Sequence, residues 1–181
     1  MQIFQYRRMF TLLALLIVGL STFTVSSTHA SVSHDESGPG IMSGTRISHS
    51  TATSRLSAAG ITWSSSGNCS NRNISTCTSF EQIYSGTIDG IITLRNASGC
   101  AINVTGGTET GHATTGTAPA PSYATHWNGY KIDIGLTTCI QNYVNANFTR
   151  IANRSNGDPQ WQSAAGNIYA RESNHWDIYY R

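Results

Sequence analysis

The sequence predicts an α+β domain: a small, mainly antiparallel sheet flanked by helices and stapled by two disulfides. Three observations predict it. Apolar residues recur at helical spacing in the first half, alternating segments dominate the second half, and the two never interleave as βαβ units would. At 181 residues the chain holds one ordinary domain. Cys69, Cys77, Cys100 and Cys139 make an even count, so two disulfides are the default in an oxidising compartment. Of the three connectivities, Cys69–Cys77 with Cys100–Cys139 is preferred, one a local loop and the other a tie between distant elements.

The chain opens on an address. Arg7 and Arg8 precede the apolar run Met9–Leu20, and a polar stretch then closes on Thr28-His29-Ala30. That order reads as a signal peptide over 1–30 with cleavage after Ala30. The apolar run is shorter than the roughly 20 residues of a spanning helix. The mature protein is therefore expected to be secreted or to face the exterior of the cell envelope, without stable membrane insertion. Residues 31–54 carry little apolar periodicity and read as a flexible polar arm. The domain proper is expected over 55–181.

Its elements follow in order. Ser54–Ala59 suits a short helix stopped by Gly60, and Ile61-Thr62-Trp63 a strand. Ser64–Ser75 reads as a polar loop around the first cysteine pair. Thr78-x-x-Glu81 has capping-box spacing and opens a short helix through Phe80 and Ile83. Thr87 caps a second helix carrying Ile88, Ile91, Ile92 and Arg95, and Gly99 stops it. Ala101–Thr105 alternates as a strand running into Gly106-Gly107. A Gly/Thr/Ala/Pro loop fills 111–125, a length that is usually functional or mobile. Tyr130–Ile134 alternates again, Ile140, Tyr143, Val144 and Phe148 mark a third helix, and two more strands are expected near Asn167–Ala170 and His175–Tyr180.

Charge removes one class of partner. The formal charge is +2, but Arg7 and Arg8 lie in the leader, leaving nine basic against nine acidic residues. A neutral chain without a basic stripe offers nucleic acid no electrostatic footprint. A monomer is expected.

Two fragments carry chemistry. In His126-Trp127-Asn128-Gly129-Tyr130-Lys131-Ile132-Asp133, a glycine permits a turn between a histidine and a strand-borne aspartate. In Glu172-Ser173-Asn174-His175-Trp176-Asp177, a second histidine opens a later strand. Two imidazoles and one carboxylate, with a fourth position left to water, are the donors of a catalytic zinc site. Glu172, three residues before His175, is placed to act as general base. Trp127 and Trp176 follow the two histidines and are expected to pack against the sheet rather than wall a cleft. Asp177 returns to the face of His175 and is a candidate to orient its ring.

Together these motifs resemble the zinc D-Ala-D-Ala carboxypeptidases and dipeptidases, which share a fold with the hedgehog signalling domain. That family is written His-x-x-Gly-x-x-x-Asp and then Glu-x-x-His. This chain shows His126-x-x-Gly129-x-x-x-Asp133 and then Glu172-x-x-His175. The resemblance runs from about Leu56 to Arg181. It implies that His126, Asp133 and His175 bind Zn²⁺, that Glu172 is the catalytic base, and that the substrate is a peptide, with peptidoglycan stem peptides or cross-links the implied class.

The chain also departs from the family. Members that recognise a free carboxylate carry Ser-Gly-aromatic-Arg where this sequence has Gly106-Gly107-Thr108-Glu109, and the usual Ser two residues before the first ligand is Ala124. Glu109 is a candidate to receive a substrate amine or to pair with a local cation. His112, in a second Glu-x-x-His, is a candidate to serve as an alternative ligand or to polarise a substrate oxygen, against the plainer reading of a solvated loop histidine. Two other classes fit the same residues: a non-catalytic zinc module of hedgehog type, and a metal-free secreted domain that displays Trp and Tyr to glycans.

Overall fold

The computed structural model describes residues 44–181. The expected signal peptide and the arm as far as residue 43 lie outside the described residues. The elements run β1 (Arg46–Ile47), α1 (His49–Ala58), β2 (Thr62–Trp63), β3 (Ile83–Tyr84), α2 (Ser85–Ser98), β4 (Asn103–Gly106), β5 (Lys131–Gly135), α3 (Thr138–Asn147), β6 (Thr149–Ile151), β7 (Gln160–Gln162), β8 (Ile168–Arg171) and β9 (His175–Tyr179). Seven strands form one sheet in the order β2-β4-β5-β9-β8-β7-β6, and β1 pairs with β3 separately. Among the described residues only β2–β4 is parallel, and every other pairing is antiparallel. The α+β class and the mainly antiparallel sheet are as the sequence predicts.

Alternation on the central strands separates two environments. β5 and β9 pair over five residues, from Lys131↔Tyr179 to Gly135↔His175. Ile132, Ile134, Trp176 and Ile178 enter the core with Leu56, Ile88, Ile91, Leu94, Ile140 and Val144 of the helices. The intervening Lys131, Asp133, His175 and Asp177 line a cleft on the opposite side, because successive strand side chains point to opposite faces. The helix side supplies stability. Truncating the fully buried Trp176 to Ala would cost about 3–5 kcal/mol.

Three expectations are corrected. The polar arm does not extend to residue 54: α1 starts at His49, where the Ser48 side chain accepts from Thr51 N, and it buries Ala52 and Leu56. The ring of His49 stacks on Phe80 at 5.4 Å. This docking orders a segment whose own periodicity is weak. The capping-box helix at 78–83 is absent. Thr78 Oγ1 donates to the carbonyls of Ser64 and Thr105 instead of capping, and Glu81 accepts from His49 N at 2.9 Å, so it serves the start of α1. Gln82 then takes φ +63° and turns the chain into β3. The second helix starts at Ser85, and Thr87 sits buried within it, donating to the carbonyl of Gly129 at 2.7 Å. Strands β6 and β7 were not anticipated; each is three residues long, too short to show alternation.

Both disulfides pair as preferred. Cys69–Cys77 spans eight residues, and Cys100–Cys139 spans 39, tying the end of α2 to the first turn of α3. Removing Cys100–Cys139 by double Ser substitution should destabilise by about 4 kcal/mol, and removing Cys69–Cys77 by about 2.5 kcal/mol, in the chain-entropy picture. Urea titration of the two variants checks the order. A larger loss from the Cys69/Cys77 variant would show that native packing, not loop closure, sets the contribution.

Candidate metal centre

The cleft is built from the turn before β5, the polar face of β5 and β9, and the loops at their ends. Gly129 makes the turn. It has φ +78°, and a Cβ there would meet the Gln82 carbonyl at 2.7 Å, so both conformation and space require glycine. The turn returns His126 over the start of β5. Its ring is almost fully buried, and Nδ1 donates to the Gly107 carbonyl at 2.7 Å. Nε2 therefore faces inward, 3.2 Å from Asp133 Oδ1. Opposite Asp133 in the ladder stands Gly106. A Cβ on Gly106 would fall 2.6 Å from Asp133 Oδ2 and 3.0 Å from His112 Cε1, so this glycine keeps open the room that the carboxylate occupies.

Two further imidazoles approach the same carboxylate. His112 Nδ1 and His175 Nε2 each lie 3.6 Å from Asp133 Oδ2. His112 also stacks on His126 with ring centroids 3.9 Å apart. Ligand atoms of His112, His126 and Asp133 all fall within 4.8 Å of one another, close enough to share one ion. Asp133 Oδ1 is buried and has no hydrogen-bond partner, although His126 Nε2 is near. A buried oxygen lacking a hydrogen bond among inward-facing imidazoles fits a cation, and nitrogen with carboxylate oxygen is a donor set that zinc accepts.

The remaining side chains form a second charged group beside the first. Asp177 Oδ2 accepts from Lys131 Nζ at 2.8 Å and from Arg154 at 3.0 Å. The other arm of the Arg154 guanidinium holds Glu172 Oε1 at 2.6 Å. Glu172 Oε2 stays on the cleft side, 3.5 Å from His175 Nε2. The cleft, about 390 Å³, is lined by all of these residues together with His112, His126, Asp133 and His175.

The geometry revises two expected roles. Asp177 does not orient His175. Its carboxylate belongs to Lys131 and Arg154, while His175 Nδ1 lies 2.7 Å from Asn174 Oδ1. Glu109 does not reach toward substrate; it is 2% exposed and is absent from the cleft lining. As expected, neither tryptophan lines the cleft: Trp176 packs in the core, although the exposed Trp127 ring lies under the Arg72 guanidinium rather than against the sheet. Lys131 and Arg154 were not anticipated. Alternation with Asp133 could have found Lys131, whereas the β6–β7 loop that delivers Arg154 leaves no periodic signal.

Burial disfavours charge on His126, but the Asp133 carboxylate outweighs it, with a smaller contribution from Asp177, and raises the group to about 9. Burial would likewise push Asp177 up, yet Lys131, His126 and Arg154 hold it well below the usual carboxylate range. No protein-family model, curated protein or solved structure matches the chain. Among the described residues, no helix is long and apolar enough to cross a membrane, and the two disulfides suggest an oxidising compartment.

The raised His126 gives a signed prediction for the chelated protein. A group whose folded value lies above its unfolded one stabilises fully below the unfolded value, near 6.5, and that contribution is lost as pH rises through about 9. Thermal midpoints in chelator should therefore fall from pH 6.5 to 9.5, and Asp133→Asn should flatten the fall. A midpoint that holds level across this range in the unsubstituted protein would show that His126 is not stabilised as the cation.

Proposed function

We propose that the protein is a secreted zinc-dependent peptidase that hydrolyses an amide bond, with peptidoglycan stem peptides or cross-links as its substrate class. One observation carries the reading. His126, Asp133, His175 and Glu172, the four positions of the two family-like motifs, come together on the wall of a single cleft. His126 and Asp133 would hold the ion from the floor, with His175 reaching it from the start of β9 and His112 from the loop above. Bound there, zinc would supply Lewis-acid polarisation of the scissile carbonyl and a water whose pKa is lowered to about 7.

The chain's own residues do the rest. Arg154 fixes Glu172 through Oε1, which leaves Oε2 aimed into the cleft as the oxygen that takes a proton from water and returns it to the leaving amine. Gly107 fixes the His126 tautomer by accepting from Nδ1, so that Nε2 is the donor atom offered inward. Lys131 and Arg154 neutralise Asp177, leaving Asp133 as the carboxylate oriented toward the imidazoles. Because Glu109 lies outside the cleft, it does not set preference against a free carboxylate.

Turnover of a peptidoglycan digest, measured beside bound zinc, tests the reading. Glu172→Gln should keep the metal and lose about 10²–10⁴-fold of activity, the share that general acid–base catalysis usually supplies. His126→Ala should lose the metal and the activity together. Undiminished turnover by Glu172→Gln would remove the proposed base. A zinc-loaded protein inert on every peptide substrate would leave a binding module.

A further inference from the structure

Glu109 is buried, yet it is an acceptor surrounded by donors. Oε2 accepts from Ser79 N at 2.7 Å and from Gly107 N at 3.1 Å, while Oε1 receives Gly107 N at 3.0 Å and His112 Nε2 at 3.0 Å. Backbone N–H groups donate to both oxygens, so the group is held as an acceptor. A carboxylate only accepts, so the proton of His112 sits on Nε2. The lone pair then belongs to Nδ1, which is the atom that faces Asp133 at 3.6 Å. The rest of the ring is constrained as well. It stacks on His126, and Gly111, at φ +104°, turns the loop to place it.

We propose that Glu109 is a positioning residue of the metal centre: it locks His112 in the Nε2–H tautomer and presents Nδ1 as a ligand beside His126 and Asp133. The proposal rests on the reading of the cleft as a metal site. Carboxylate–imidazole–metal chains of this form fix ring orientation and raise ligand basicity. The backbone N–H groups of Ser79 and Gly107 would satisfy a buried carboxylate whatever His112 did. The added contact selects the imidazole tautomer and ties a loop side chain to the cleft wall. It also accounts for an acidic residue where the resembling family carries arginine, because a guanidinium would set donors against the donors of Ser79, Gly107 and His112.

Zinc affinity by competition with a chromophoric chelator, the absorption spectrum of the cobalt-substituted protein, and nitrogen NMR of the chelated protein test the proposal without any substrate. The unsubstituted chelated protein should show His112 protonated on Nε2. Glu109→Gln keeps the shape, but its carbonyl must serve the two backbone donors, so its NH₂ faces His112 and drives the proton to Nδ1. Zinc affinity should then fall about 10–100-fold, the usual effect of losing such a partner. His112→Ala should lose at least as much and change the cobalt spectrum. His112 is partly exposed, so this variant carries the test if Glu109→Gln does not fold. Unsubstituted zinc affinity and an unchanged cobalt spectrum in His112→Ala would overturn the proposal, as would a proton on Nδ1 in the unsubstituted protein. Failure to hydrolyse peptides would leave it standing. Normal zinc binding by His126→Ala would overturn both it and the metal reading.

Discussion

Asp133 and Asp177 are register partners on adjacent central strands, on the same face and both almost wholly buried. Two carboxylates directly opposite each other repel, and burying either without a partner costs several kcal/mol. The cleft is the resolution of that conflict. Lys131 and Arg154 close on Asp177 Oδ2. Asp133 is left to the imidazoles, and Oδ1 of each carboxylate makes no hydrogen bond. The sheet thus sets one carboxylate neutralised by fixed cations beside another that could receive a mobile one.

This division places the candidate base. The guanidinium that neutralises Asp177 also holds Glu172, so the carboxylate network and the candidate base share one anchor on the β6–β7 loop. The apolar side of the same strands packs against three helices, and the Cys100–Cys139 bridge reinforces that side. Rigidity therefore comes from one face of the sheet, and the polar cleft lies on the other. The glycines at 106 and 129 let the backbone come close enough for the polar face to close around Asp133.

Much of the fold was legible because its signals are local. Alternation marked β5 and β9, helical spacing marked α2 and α3, and cysteine count with separation marked both bridges. The motif residues His126, Asp133, Glu172 and His175 line one cleft, but His112 rather than His175 completes the close His/His/Asp group, because the loop after β4 brings it there. What escaped depends on tertiary contact. The segment before residue 55 is ordered by docking on Phe80 and Glu81, which no pattern within it announces. Thr78 and Glu81 have the spacing of a cap but spend their hydrogen bonds on other segments. Glu109 looked like a substrate contact because its chemistry was visible and its burial was not. Arg154 reaches the cleft only because β6 and β7 fold back.

The groups around Asp133 come from the loop after β4, the turn before β5, β5 itself and the start of β9. In an unfolded chain they are scattered, so the site exists only after the long-range strand pairing is complete, and the free energy of any ion bound there would become folding free energy. If the chain crossed a membrane unfolded, as the expected leader would imply, such an ion would come from the far side; if it folded first, the ion would travel with it. The order of folding and export would then set which compartment's pool of metals reaches the site.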